Sequence, residues 1–147
     1  MTPTGWLVIF DRTSSKAWLR WRIWGRYKHV GAVGYVRELQ VWVSYEVYFG
    51  HTGIRVIPDA AAEPFLDALT RDADVVWMPA RPGPAVWFRF GFWCVPAVKH
   101  LLGLRSGALR PDTLYRDCLR NGGIPVDEVL GAPAGRPEQR PAVQAAA

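Results

Sequence analysis

The sequence predicts a single α+β domain in which an antiparallel sheet packs against helices. Short β-branched and aromatic runs, bounded by turn residues, fill the first two thirds of the chain. Later segments carry Pro at their starts and Gly at their ends, which is typical of helices. Half of the 147 residues are hydrophobic, which excludes disorder of the whole chain and suffices for one core.

Six apolar runs predict strands, and the second and third of them predict an antiparallel hairpin. The turn of this hairpin is expected at Arg37 and Glu38, although it lacks an Asn-Gly or Asp-Gly signal. A further turn is expected at residues 50–53. The predicted strands are residues 6–10, 29–36, 41–49, 54–57, 75–78 and 85–90.

Helices are predicted from capping and periodicity at residues 16–24, 60–71, 95–103 and 111–121. Asp59 is the expected N-cap of the second, Pro96 lies in the first turn of the third, and Gly122 and Gly123 end the fourth. From residue 131 onward, eleven of 17 residues are Gly, Pro or Ala. We therefore predict one domain over residues 1–123 and a Gly/Pro/Ala-rich tail over 124–147.

Charge points to acidic partners. The formal net charge is +5, and residues 16–28 interleave Lys and Arg with Trp18, Trp21, Trp24 and Tyr27. Such a segment could grip phosphates and stack on bases, or lie at a lipid headgroup layer. The competing interpretation is that the aromatic rings pack on the sheet beneath the Arg and Lys stems.

Cys94 and Cys118 are too few for a disulfide scaffold, which favours a reducing compartment. The sequence indicates no signal peptide and no transmembrane segment, so we expect synthesis in the cytoplasm. The spacing of cysteines and histidines predicts no metal site, and we find no phosphate loop or dinucleotide fingerprint. No cofactor is expected.

Cys94 is the leading candidate for chemistry. It follows a predicted strand and a Gly-containing turn, and it stands at the start of a predicted helix. Free N–H groups and the helix dipole stabilise an anion there, so we expect a lowered thiol pKa and a good nucleophile. The same N–H groups could hold an oxyanion. The alternative is a buried cysteine that packs as a small hydrophobe.

A thiol nucleophile needs a base, and the chain has three histidines. His100 lies six residues along the same helix, roughly on its opposite side. His51 lies in a predicted turn and is expected at the surface. His29 opens a strand, where an imidazole can face a helix start. The competing interpretation, which His29 alone would favour, is an ordinary half-buried strand residue.

Glu46 is the candidate for orienting that base. With a turn at Arg37 and Glu38, His29 faces Glu46 directly across the hairpin. Glu46 is also the only acid inside an otherwise apolar strand. A register slip of two residues would offer Ser44 or Tyr48 instead, and Glu46 could also face solvent.

The order of these residues resembles that of small phage-encoded proteins with a circularly permuted papain-like fold, related to the NlpC/P60 superfamily. In such proteins the histidine and the third polar residue precede the cysteine. The resemblance spans residues 6–122 and rests on short motifs: Lys28-His29-Val30, residues 42–46, Trp93-Cys94-Val95, Lys99, residues 101–104, Leu109, Pro111, Leu114-Tyr115 and Leu119.

The resemblance implies a thiol hydrolase with Cys94 as nucleophile, His29 as base and Glu46 as orienting residue. It implies cleavage of a peptide, amide or ester bond through an acyl-thioenzyme, with a peptide or cell-wall-type substrate, and it implies virion-associated relatives. The chain departs from the pattern at Gly91-Phe92-Trp93, which offers no Gln or Asn as oxyanion donor.

Two other hypotheses compete. The first is a non-catalytic virion protein of the tail, neck or capsid that keeps this fold and contacts other subunits through its C-terminal tail. The second is a nucleic-acid or membrane-surface binder that acts through residues 16–28.

Overall fold

A computed structural model describes residues 3–13, 25–48, 51–81 and 93–127. These residues form a six-stranded sheet and three α-helices, which confirms the predicted α+β class. The strands are β1 (Gly5–Asp11), β2 (His29–Val36), β3 (Val41–Tyr48), β4 (His51–Pro58), β5 (Ala73–Pro79) and β6 (Ile124–Pro125). The helices are α1 (Ala62–Thr70), α2 (Cys94–Leu101) and α3 (Pro111–Arg120).

Every strand pair in the sheet is antiparallel, and the strand order is β4-β3-β2-β1-β5-β6. Strand β1 lies inside the sheet because its apolar run offers buried side chains to both faces, with Val8 and Phe10 on one and Ile9 on the other. Strand β4 forms one edge, and most of its residues are exposed.

Different helices pack on the two faces of the sheet. Alternate residues of each strand point to opposite faces. On one face, Val8, Phe10 and Val30 join a core cluster with residues of α2 and α3. On the other, Ile9, Val33 and Val75 pack with Phe65, Leu66 and Leu69 of α1. Each fully buried Val, Leu or Phe side chain contributes about 1.5–3 kcal/mol through loss of apolar contact with water.

The hairpin between β2 and β3 has the predicted strands but a different register. Its turn comprises the 3-10 segment Arg37–Leu39 and Gln40, which adopts a left-handed conformation with φ 51°. This longer turn places Val36 opposite Val41. The expectation that His29 directly faces Glu46 is therefore wrong, because two added turn residues, Leu39 and Gln40, shift the pairing by two positions.

Three further expectations need correction. Residues 51–53 continue β4 instead of forming a turn. Asp59 does not cap α1, because it begins the 3-10 segment Asp59–Ala61 and the N-cap of α1 is Ala61. Its carboxylate accepts a hydrogen bond from Nε1 of Trp42 at 3.1 Å. Ile124 and Pro125, which the sequence places in the tail, pair with Trp77 and Val76 of β5.

Some predictions fall on parts of the chain outside the described residues, namely the helix at 16–24, the strand at 85–90 and the tail beyond residue 127. Within the described ranges, no helix is both long and apolar enough to cross a membrane.

Candidate functional site

Cys94 occupies the first position of α2, as the sequence predicts. The preceding residue, Trp93, is extended (φ −141°, ψ 179°), and no side chain caps the helix. The N–H groups at a helix start have no partner within the helix. Those of Cys94 and Val95 act on the Cys94 sulfur, together with the N–H of Val30 from β2. Backbone N–H groups from two elements thus influence the Cys94 thiol.

The expected lowering of the Cys94 pKa is not found. Burial of the thiol is the largest influence and raises its pKa, the three N–H groups lower it, and the nearby Asp11 carboxylate raises it again. The pKa of the thiol is raised overall, because removing a thiolate from water costs more free energy than the helix start contributes by stabilising it. Cys94 is therefore a neutral thiol at rest.

The site lies where the β2–β3 ladder opens. Paired residues end at Ala32 and Tyr45, although β2 begins at His29 and β3 continues to Tyr48. The N–H of Val30 acts on the Cys94 sulfur beyond this last pair. The start of α2 thus lies close to residue 30 of β2, beyond the last paired residues of the hairpin.

His29 sits beside this opening. It pairs with Asp11 on β1, and its ring stacks on Tyr48 with centroids 5.6 Å apart and an interplanar angle of 11°. Its Nε2 atom is buried and has no hydrogen-bond partner among the described residues. Burial lowers the pKa of the imidazole, which favours the neutral base form.

Glu46 lies on the same face of the sheet as His29, two pairs further along the hairpin. The β2–β3 register, continued by one pair, sets Glu46 opposite Gly31. A Cβ atom on Gly31 would come within 3.1 Å of the Glu46 Cγ, so the Glu46 side chain lies over this glycine. Glu46 is only 8% exposed, and burial raises its pKa while the charge of Arg55 opposes that rise.

Asp11 is a residue of this site that the sequence pattern did not indicate. Asp11 closes β1 directly opposite His29 and is near enough to affect the Cys94 pKa. Its own pKa is raised to about 6 by burial, then by the charges of Glu46 and Asp72. In the sequence Asp11 reads only as the break after an apolar run, and its alignment with His29 depends on a β1–β2 register that spans a long connection.

Cys94, His29 and Glu46 lie in one region of the fold, but the described residues show no hydrogen bond that connects them. His29 and Glu46 share a face, and Cys94 arrives on the helix that packs against the opposite face. Asp11, which is directly opposite His29 on β1, shares the face of His29 and Glu46. No hydrogen bond within the described part of the chain links Cys94 to His29 or His29 to Glu46.

The other two histidines lie on β4 and near the end of α2. His51 is exposed at the start of β4, as expected of a surface residue, and its ring lies 5.0 Å from that of Tyr48. His100 lies near the end of α2, with its Nδ1 buried. The described residues contain no group of three or more His, Cys, Asp or Glu side chains that could hold a metal ion.

The described end of the basic-aromatic segment has a structural role. The Tyr27 hydroxyl donates a hydrogen bond to the buried carboxylate of Asp74, which also forms ion pairs with Arg12 and, at 2.8 Å, with Arg26. The Tyr27 ring packs against Phe10, with centroids 5.4 Å apart. These contacts agree with the interpretation in which aromatic residues pack on the sheet. Residues 14–24 lie outside the described ranges.

Comparisons of this chain with protein-family models, with curated proteins and with solved structures found no match.

Proposed function

We propose that this protein is a thiol hydrolase with a permuted papain-like arrangement, which cleaves a peptide, amide or ester bond. The observation that carries the proposal is the environment of the Cys94 sulfur. It meets the N–H groups of a helix start and of Val30, the residue after His29, where the β2–β3 ladder opens. Backbone donors from two directions suit a nucleophile whose charge develops during reaction.

In the proposed reaction His29 acts as a general base, because both thiol and imidazole are neutral at rest. The imidazole takes the thiol proton as the sulfur attacks the carbonyl carbon. The resulting imidazolium returns that proton to the leaving amine or alcohol when the carbon–nitrogen or carbon–oxygen bond breaks. Water, activated by the same imidazole, then hydrolyses the thioester and releases the acid.

Backbone N–H groups can serve as the oxyanion donors that the sequence before Cys94 lacks as side chains. The candidate donors are the N–H groups of Val95 on α2 and Val30 on β2, both of which lower the pKa of the Cys94 thiol. A developing oxyanion next to the sulfur could accept from either. Glu46 is the acid that the resemblance assigns to His29, and its place on the same face supports a role near the imidazole.

The test measures alkylation of Cys94 by iodoacetamide between pH 5 and 9, with Cys118→Ser in every variant so that one thiol remains. We expect the parent to react about tenfold or more faster at pH 7 than His29→Ala, in line with general-base assistance. His51→Ala is the matched control, because it removes an exposed imidazole. Equal rates in the parent and His29→Ala would refute the proposal.

A second assay tests covalent turnover. The parent is mixed with p-nitrophenyl acetate, and intact-mass analysis is used to detect an acetyl group on Cys94. We expect a transient adduct in the parent and none in Cys94→Ala. A parent that never carries the acetyl group would contradict an acyl-thioenzyme.

The second candidate is the non-catalytic virion subunit, and an exposed sheet edge favours it. Ile54 and Val56 of β4 are 65% and 63% exposed, and an apolar edge strand is a surface on which another chain can add a strand. In that role Cys94→Ala would leave assembly unchanged, while Ile54→Lys would weaken it. Sedimentation of both variants beside the parent distinguishes the two functions.

Nucleic-acid binding through residues 16–28 stays a prediction. It requires binding to duplex or single-stranded DNA that falls steeply with salt. Binding that does not change between low and high salt would contradict it.

A further inference from the structure

We propose that Asp11, rather than Glu46, is the positioning residue of this site, holding His29 and stabilising the imidazolium that forms when the Cys94 thiol gives up its proton. The inference rests on the proposed function for its catalytic meaning. The electrostatic coupling between Asp11 and His29 that it assumes does not depend on turnover.

First, the register of the β1–β2 pair places Asp11 next to His29. Asp11 and His29 are directly opposite in the β1–β2 pair, so both side chains leave the sheet on the same face. Directly opposite residues have Cβ atoms about 4.5–5.5 Å apart, which is within reach of a carboxylate and an imidazole. Glu46 occupies the diagonal position on the other neighbouring strand, opposite Gly31.

The second step is what surrounds the imidazole. Tyr48 covers one face of the His29 ring at 5.6 Å, with the ring planes nearly parallel. Stacking fixes the plane of the imidazole and leaves hydrogen bonding to the ring edge. The Nε2 atom at that edge is buried and has no partner in the described part of the chain. Asp11 is the carboxyl on the strand that pairs with this residue.

The third step separates the two acids by their neighbours. Glu46 feels the opposing charge of Arg55 on β4, while Asp11 feels the like charges of Glu46 and Asp72. A new cation would therefore stabilise the Asp11 carboxylate more than the Glu46 carboxylate, and protonated His29 would be that cation. Because Gly31 has no side chain, the Glu46 side chain can lie over it. Any side chain at this position would displace the Glu46 Cγ.

The fourth step is the charge balance during reaction. Moving the thiol proton to His29 creates an anion at Cys94 and a cation at His29, and the Asp11 carboxylate stabilises the cation. The carboxylate also repels the thiolate, so its net benefit requires the imidazolium to lie between them. The titratable and charged groups around this site are Asp11, His29, Glu46, Tyr48, His51, Arg55, Asp72 and Cys94.

The experiment titrates the imidazole nitrogens of the full chain by long-range ¹H–¹⁵N NMR, with the His29 signals assigned from His29→Ala. We expect Asp11→Asn to lower the His29 pKa by about one unit, a tenfold loss of proton affinity. Glu46→Gln should lower it by less, and Asp72→Asn, which removes an exposed acid, should leave it nearly unchanged. A larger effect from Glu46→Gln, or none from Asp11→Asn, would overturn the proposal.

Alkylation of Cys94 in the same variants separates this inference from the hydrolase proposal. We expect Asp11→Asn to reduce the labelling rate at pH 7 most of the way towards that of His29→Ala. If the NMR shift occurs but labelling ignores both His29 and Asp11, the hydrolase proposal fails while the Asp11–His29 coupling stands. If labelling depends on His29 but not on Asp11, the hydrolase stands and the positioning role of Asp11 fails.

Discussion

Replacing Asp11 by Asn should stabilise the domain at neutral pH, because the native carboxylate is held in an unfavourable place. Folding raises the Asp11 pKa from 3.8 to about 6. At 1.36 kcal/mol per unit this corresponds to about 3 kcal/mol. Asp11 is partly exposed and its repulsion is screened by solvent, so we expect about 1–2 kcal/mol.

The sign of the pH dependence follows from linkage. Between pH 4 and 6 the folded protein holds a proton on Asp11 that the unfolded chain has released. Stability therefore falls as the pH rises through this window, and the full penalty applies above about pH 6. Asp11→Asn lacks this penalty, so its advantage over the parent should be small at pH 4 and largest at pH 7.5.

Urea denaturation at both pH values measures the effect as the midpoint of unfolding, provided that the m-value is unchanged. Asp67→Asn is the control, since the Asp67 side chain is 80% exposed and its ion pair with Arg71, at 3.8 Å, is long. If the parent is as stable as Asp11→Asn at pH 7.5, Asp11 does not lie in the unfavourable environment that the structure indicates. A confirmed gain would also ensure that loss of Cys94 reactivity in this variant is not unfolding.

Three further predictions concern stability alone. Gly123→Ala should destabilise by about 1–3 kcal/mol, because its Cβ would come within 2.7 Å of Met78 and Val76 side chains and 2.8 Å of the Cys118 carbonyl. Leu114→Ala should cost about 2–5 kcal/mol, since Leu114 is fully buried. Asp74→Asn should cost about 1–3 kcal/mol at pH 7 and flatten the acid limb of the stability curve. Burial raises the pKa of Asp74, but Tyr27, Arg12 and Arg26 together lower it, so the parent loses this stabilisation as the pH falls through the folded value.

Matched variants check each of these by urea midpoint. Gly107→Ala should be neutral or slightly stabilising, because among the described residues, chain neighbours aside, no atom lies within 4 Å of its added Cβ. Leu109→Ala should change stability by less than about 0.5 kcal/mol, because Leu109 is 59% exposed. A Gly123→Ala protein as stable as Gly107→Ala, or a Leu114→Ala protein as stable as Leu109→Ala, would show that the core is packed differently. If Asp74→Asn loses stability at low pH as steeply as the parent does, this loss must come from other carboxyl groups.

Most of the fold was predictable because its signals are local. Strand β2 is found at the predicted residues, and α3 begins at Pro111 where the sequence placed it. Apolar runs and Pro at a helix start act over a few residues, so one sequence reveals them. The short strand β6 carries no such signal, since two residues pair with β5 only because the chain after α3 returns to that edge.

The candidate site was predictable only in part. Local pattern suffices to place Cys94 at a helix start and His29 at the beginning of a strand, because turn and strand signals adjoin both residues. The partner of His29 is set by register, and the left-handed residue Gln40 lengthens the turn beyond what Arg37 and Glu38 suggested. That conformation is uncommon for a non-glycine residue, so the residues of the turn did not indicate it.

The sequence by itself determined the class of the fold, the identities of the nucleophile and base candidates, and their order along the chain. The tertiary structure decided which acid stands beside the histidine and which way the thiol pKa moves. Asp11 and His29 meet because two strands separated by a long connection pair in one register. The thiol pKa rises because packing removes water from a helix start that would otherwise favour the anion. Both depend on distances between residues far apart in the chain, which no local pattern records.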